Sequence, residues 1–299
     1  MTYDKSQILE KVQKLTVWRR HGERAPHKPL LLLLALGRLA HGCPRLGEYK
    51  DLAEPLLRLL RQYGPPRRSI HPEYPFWRLQ ADGLWEITGG MKFKQRKGNS
   101  DPLKSELIRQ NPLAGLPTET FDQLHNDRDL FEQTVHLLLN SHFPESMHED
   151  LLRDVGIDFP IKKGGKRDSN FVAGVLKAYG NVCAICGYDV RVGSAILGIE
   201  AAHIKWCLAG GPNEIDNGLA LCTIHHKALD YGALRITSEH SVLLSCDLHG
   251  QAVELWFLPF HGKKLRRPSR AEWLPNPQYI QWHETEVFRG PARDLFTSE

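Results

Sequence analysis

C-A-I-C at residues 183–186, E-A-A-H-I at 200–204 and D-N-G-L-A-L-C-T-I-H-H-K-A-L-D at 216–230 form the stretch on which the reading of this chain turns. Cys183 with Cys186 has the C-x2-C spacing and Cys222 with His225 the C-x2-H spacing that let each pair grip one tetrahedral zinc. Four protein ligands close such an ion's coordination, so the zinc is expected to be structural. Zinc binding leaves His203, Asn217 and His226 unexplained. A strand at 197–204, a second near Leu219 and a helix at 223–229 make the local prediction a β-hairpin followed by a helix.

Working outward, the 299 residues are 41% apolar and 25% charged, enough for two globular domains, each with its own core. A net charge of +4 and a pI near 8.7 permit nucleic acid as a partner without demanding it. Clustering says more: residues 91–99, 161–167 and 262–270 each concentrate Lys and Arg. No secretion signal opens the chain, and the apolar run at 29–36 is far too short to cross a bilayer, so a cytoplasmic protein with no membrane partner is expected. Six cysteines, with Cys183, Cys186 and Cys222 at ligand spacing, fit a reducing compartment. Cys43, Cys207 and Cys246 match no ligand spacing and read as buried thiols.

Along the N-terminal half, helices are predicted from residue 4 to 15, up to about residue 41, and over 51–63, 101–110 and 121–140. Prolines at 26 and 29 bracket His27 and Lys28, placing a cationic loop at a helix N-terminus, where backbone N–H groups favour an anion. Aromatic and apolar alternation over 70–80 and 83–88 predicts two strands joined by a turn at 81–83. Residues 153–168, charged and with adjacent glycines, read as a linker between domains at 1–152 and 169–299.

The leftover residues suit phosphodiester hydrolysis. An imidazole titrating near neutrality makes His203 the candidate general base. Asn217 lies in the loop returning toward it and can hold the ring in one tautomer. His226 can bind a divalent cation, Mg2+ or Mn2+, that stabilises charge at phosphorus. This arrangement resembles the HNH nucleases of the ββα-metal type, over roughly residues 170–236, and E-A-A-H-I with N-G-L-A-L-C-x2-H-H-x3-D looks like the branch found in modification-dependent restriction enzymes. The resemblance implies His203 as base, Asn217 as orienter and His226 as metal ligand. Many members carry Asp immediately before the base where this chain has Ala202. A second metal ligand is therefore open, with Glu200 or Asp230 as substitutes.

The N-terminal half, over roughly residues 5–140, is similar to the sulfur-binding domains fused to HNH nucleases, through R-x6-H-K-P-L-L-L-L from Arg20, Y-P-F-W-R-L from Tyr74 and the G-N-S segment at 98–100. Those domains recognise DNA in which sulfur replaces a non-bridging phosphate oxygen. The similarity implies Arg20, His27 and Lys28 at the modified backbone and Tyr74 and Pro75 as an apolar cup. Arg78, Gly98, Asn99 and Ser100 would serve neighbouring phosphates or bases. A phosphorothioate keeps its charge but exposes a larger, weakly hydrated atom, so cations paired with an aromatic and a proline face can prefer it.

The expectation is thus an α+β chain: a mainly helical DNA-reading domain with a small β-hairpin or sheet, then a ββα-metal HNH domain with structural zinc. It would bind double-stranded phosphorothioated DNA and cut nearby as a homodimer. Two rival readings are a nuclease that reads methylated or hydroxymethylated cytosine and a catalytically silent DNA-binding regulator, which Ala202 favours.

Overall fold

The computed structural model describes residues 6–15, 25–90, 92–98, 100–160 and 168–295. They form two compact units, which part between residues 160 and 168.

The first unit is mainly helical. Its elements are α1 (Ser6–Gln13), α2 (His27–Ala40), β1 (Leu46–Glu48), α3 (Tyr49–Tyr63), α4 (Glu73–Arg78), β2 (Glu86–Ile87), α5 (Lys104–Gln110), β3 (Leu113–Gly115), α6 (Thr118–Asn126), α7 (Arg128–His142) and α8 (His148–Val155). The apolar run at 29–36 makes α2 hydrophobic on every side, so the helix is central, packed by α3, α4, α7 and α8. Gly37 is needed there, since a Cβ on it would lie 2.0 Å from the Val155 carbonyl oxygen of α8. The helix α8 runs past the expected linker start at 153 and buries Leu151, Leu152 and Val155. The helix expected over 121–140 is two, broken where the Asp127 side chain accepts from Leu130 N at 3.0 Å and caps α7.

The strand expected over 70–80 is overturned. Residues 73–78 are helix, not strand, and the short strand β2 pairs with β3, which also pairs with β1, all antiparallel. Pro72 and Pro75 sit at and within the first turn, where a missing N–H costs nothing, and the helix buries Phe76 and Leu79 at i, i+3 spacing. That spacing competes with the alternation that suggested a strand.

The second unit contains α9 (Ser169–Ala178), β4 (Arg191–Val192), β5 (Ala195–Ile196), β6 (Ile199–His203), β7 (Gly218–Cys222), α10 (Thr223–Asp230), β8 (Leu234–Ile236), β9 (Val242–Leu244), α11 (Val253–Trp256) and α12 (Pro277–Glu286). Strands β6 and β7 pair antiparallel from Ile199 with Cys222 to His203 with Gly218. Helices α9 and α10 both pack on this hairpin. Gly218 lets α9 approach, because a Cβ there would lie 2.3 Å from Val175 and 3.0 Å from Phe171. The C-terminal segment packs on the same core: Trp282 of α12 meets Trp206, with ring centroids 5.7 Å apart, and the His283 ring bonds the Leu229 carbonyl. Among the described residues, no helix is long and apolar enough to cross a membrane.

Candidate active site and metal centre

At one end of the hairpin, Cys222 closes β7 immediately before α10, His225 follows in the first helical turn, and the C-x2-C turn supplies Cys183 and Cys186. The ligand atoms of these four residues all lie within 4.8 Å of one another. His225 Nδ1 is 3.1 Å from Cys222 Sγ and 3.7 Å from Cys183 Sγ, and Cys186 and Cys222 are 3.9 Å apart. A tetrahedral zinc with bonds of about 2.0–2.3 Å sets its ligands roughly 3.3–3.8 Å apart, so the donors and their spacing fit a metal ion. His225 Nε2 donates to the Trp256 carbonyl at 3.0 Å, which leaves Nδ1 as the ligand nitrogen.

At the other end of β6 stands His203. Its ring stacks on Phe171 of α9, centroids 3.9 Å apart and planes 11° from parallel. Its Nε2 lies 2.9 Å from Asn213 Oδ1 and 3.1 Å from Cys207 Sγ. Cys207 is exposed, as is Cys246, while Cys43 is half-buried, so none of the three is the buried thiol that spacing suggested. Cys207 opens a short 3-10 helix and Cys246 lies in a turn, neither on the apolar face of a core element.

Asn217 is fully buried, but its side chain does not clamp the ring of His203. Nδ2 donates to the carbonyls of Lys205 and Pro212 at 2.9 and 2.8 Å, and Oδ1 accepts from Lys205 N at 2.9 Å. Asn217 thereby closes the loop that follows His203, while its own carbonyl accepts from Ile204 N.

His226 lies between two carboxylates. Nδ1 is 2.6 Å from Glu200 Oε2 and Nε2 is 3.3 Å from Asp230 Oδ2. Asp230 is 3% exposed and also accepts from Trp206 Nε1 at 3.0 Å, whereas Glu200 is 35% exposed at its side chain. Successive residues of a strand alternate faces, so Glu200 and Ala202 share the α10 face while His203, like its partner Gly218, faces α9. Glu200 is therefore two residues from the missing acid and on its side of the strand. His203 and His226 occupy opposite faces of the hairpin, with His203 at its end.

In the first unit, α4 meets the backbone-bonded segments 94–96 and 101–103. Arg78 donates to Asp101 at 2.5 and 3.0 Å, which holds its guanidinium charged, and packs 4.6 Å over the Tyr74 ring. Arg96 packs on the same ring at 4.6 Å, bonds its hydroxyl, and reaches the buried Glu73 at 2.8 Å. The His71 ring stacks on Tyr74 at 4.7 Å. Pro75 is buried and Tyr74 half-buried. Gly98 has φ 89° with open space around it, and Ser100 is exposed. Lys28 is held 2.6 Å from Asp82, whose side chain is 4% exposed, and His27 heads α2. Tyr74, Pro75, Arg78 and these segments thus come together, whereas Arg20 and Asn99 lie outside the described residues.

Residues 5–160 of 299 match the family described as ScoMcrA-like, DNA sulfur-binding domain. The chain belongs to that family. Residues 183–237 of this ScoMcrA-like chain match the HNH endonuclease family, so it carries a nuclease domain, which hydrolyses DNA, behind the sulfur-binding domain. It is similar to the sulfur binding domain of SprMcrA complexed with phosphorothioated DNA, at 26% identity and TM-score 0.46, over 52% of this chain and 96% of that one. The sulfur binding domain of ScoMcrA complexed with phosphorothioated DNA is similar at 24% identity and TM-score 0.44, over 50% and 94%. The Type IV phosphorothioation-dependent restriction endonuclease ScoMcrA is similar at 22% and 0.42, over 57% of this chain and 34% of that one. No protein of curated function matches the ScoMcrA-like chain.

Sequence reasoning missed Asn213, Arg96 and Asp168, which joins the site through Asn213. Each reaches its partner across intervening chain, and no local spacing marks such contacts.

Proposed function

We propose that the chain is a modification-dependent restriction endonuclease. Its N-terminal domain, residues 1–152, binds duplex DNA at a phosphorothioate linkage, and its nuclease domain, residues 169–299, hydrolyses phosphodiester bonds nearby. One observation carries the reading: a DNA sulfur-binding domain and an HNH endonuclease domain share one chain.

In this reading the Cys183, Cys186, Cys222 and His225 cluster holds a structural Zn2+, to which soft thiolates are suited. His226 and Glu200 would hold the catalytic Mg2+ or Mn2+, which when bound offsets the charge that builds on the phosphoryl oxygens. Buried Asp230 orients His226 from the other ring nitrogen, steadied by Trp206. His203 deprotonates the attacking water, and Asn217 fixes the loop behind it. Glu200→Gln is expected to raise the Mg2+ or Mn2+ concentration for half-maximal cutting by roughly 10–100-fold. An unchanged metal requirement would remove Glu200 from the ion.

The sulfur would rest against Tyr74, whose ring Arg78 and Arg96 brace, with Pro75 behind. Arg20, His27 and Lys28 would meet the flanking phosphates, and Gly98, Asn99 and Ser100 the neighbouring bases. Tyr74→Ala should narrow the preference for sulfur-modified over plain duplex by roughly tenfold, the worth of about 1.4 kcal/mol of apolar contact. Titration of both duplexes with full-length protein measures it, and an undiminished preference moves the cup elsewhere.

A double-strand break needs two sites, so the protein acts as a homodimer or as two copies meeting on DNA. Sedimentation finding one chain on the duplex being cut counts against this pairing. A metal-held thiol cluster suits the reducing cytoplasm. The whole reading is tested by adding Mn2+ or Mg2+ with matched sulfur-modified, methylated and plain duplexes. Cutting confined to the sulfur duplex is expected. Cutting of methylated DNA alone, or tight binding without cutting, overturns it in favour of a different modification or a silent regulator.

A further inference from the structure

The ring of His203 is built into a directional chain of hydrogen bonds. Asp168 stands at the N-cap of α9, where its Oδ1 accepts from Asn170 N at 2.9 Å and Phe171 N at 3.3 Å. Its other oxygen, Oδ2, lies 3.2 Å from Asn213 Nδ2, and Asn213 Oδ1 lies 2.9 Å from His203 Nε2. A carboxylate only accepts, so it fixes which end of the Asn213 amide faces it. The NH2 must point to Asp168, and the carbonyl oxygen must then face the histidine. A carbonyl oxygen also only accepts, so the atom facing it must carry a proton. Cys207 satisfies the same polarity, with its thiol 3.2 Å from Asn213 Oδ1 and able to donate to it.

We infer that Asn213, aimed by Asp168, is a positioning residue that holds His203 in the tautomer with its proton on Nε2, making Nδ1 the atom that takes the proton from water. The inference rests on the reading of His203 as the general base. In the step, Nδ1 takes one proton of a water molecule, and that water's oxygen forms a bond to phosphorus as the bond from phosphorus to the leaving deoxyribose oxygen breaks. The leaving oxygen takes a proton from solvent, and the imidazolium later returns its own. As the ring becomes cationic, the Nε2–H bond to Asn213 becomes charge-assisted and strengthens, while Phe171 keeps the ring plane in place.

Asp168→Asn is the discriminating variant. Asn caps a helix as well as Asp does, so α9 keeps its start, yet an amide at 168 donates as well as accepts and no longer dictates how Asn213 points. In full-length protein with 15N-labelled histidine, the wild type should show His203 as a single Nε2–H tautomer. D168N should show a mixture, and Asn213→Ala should lose the single tautomer altogether. Both should cut sulfur-modified duplex with kcat lowered roughly 10-fold or more and KM little changed, since only proton transfer suffers. A wild-type Nδ1–H tautomer, or a single Nε2–H tautomer surviving in both variants, overturns the inference. If His203→Ala cuts at the wild-type rate, the reading of the base fails instead, and the tautomer spectra still report whether Asn213 sets the ring.

Discussion

Replacing His203 by Ala is expected to lower the cutting rate on phosphorothioated duplex by about 10²–10⁴-fold, the usual worth of a positioned general base. Affinity for that duplex should stay unchanged, because the residues proposed to grip it belong to the other unit, which has its own core. Removing the ring takes away a partner of Phe171 and of Asn213, so a modest loss of stability is expected as well. A thermal melt separates the two effects: a folded variant with bound DNA and no cutting supports the base, while a folded variant that cuts normally sinks it. The structure sharpens the experiment, because His203 and His226 lie on opposite faces of the hairpin. A scissile phosphate served by both must sit at the strand's end, where His203 is the last residue of β6.

Cys222→Ser should have the larger structural effect. Cys222 ends β7, directly precedes α10 and contributes one of four clustered ligand atoms. Structural zinc in small domains contributes about 10–16 kcal/mol of binding energy, comparable with or above the whole stability of a typical domain at about 5–15 kcal/mol. Losing one ligand should therefore release the metal and unfold the nuclease unit, leaving sulfur-duplex binding in the first unit intact. Metal analysis together with a melt followed in both units checks this. A variant that keeps one tightly bound zinc per chain and an unaltered melting profile would show that the cluster contributes little to folding. A strong chelator should reproduce the variant's behaviour in the wild type, with recovery on adding Zn2+ back.

The two halves differed in what their sequences disclosed. The four-ligand cluster was legible because ligand chemistry restricts residue type and a turn restricts spacing, so Cys183, Cys186, Cys222 and His225 are marked twice over. Glu200 and Asp230 were legible only as alternatives, and strand alternation with helical i, i+4 geometry then put both beside His226. Helix α4 was misread because its aromatic residues serve two spacings at once, and the two prolines that mark turns equally well open a helix. Asn213 and Asp168 gave no signal, since their partnership depends on how the 204–217 loop closes onto the cap of α9.

Both faces of the β6–β7 hairpin are covered by helices, so greasiness alone does not tell one side from the other. A slide of one residue would trade His203 for Ala202 on the α9 side at little hydrophobic cost, and the chemistry would vanish while the core survived. The observed register runs from Cys222 opposite Ile199 at the far end to Gly218 opposite His203. The proposed metal cluster and the proposed base thus stand at opposite ends of one ladder, four residues apart along it.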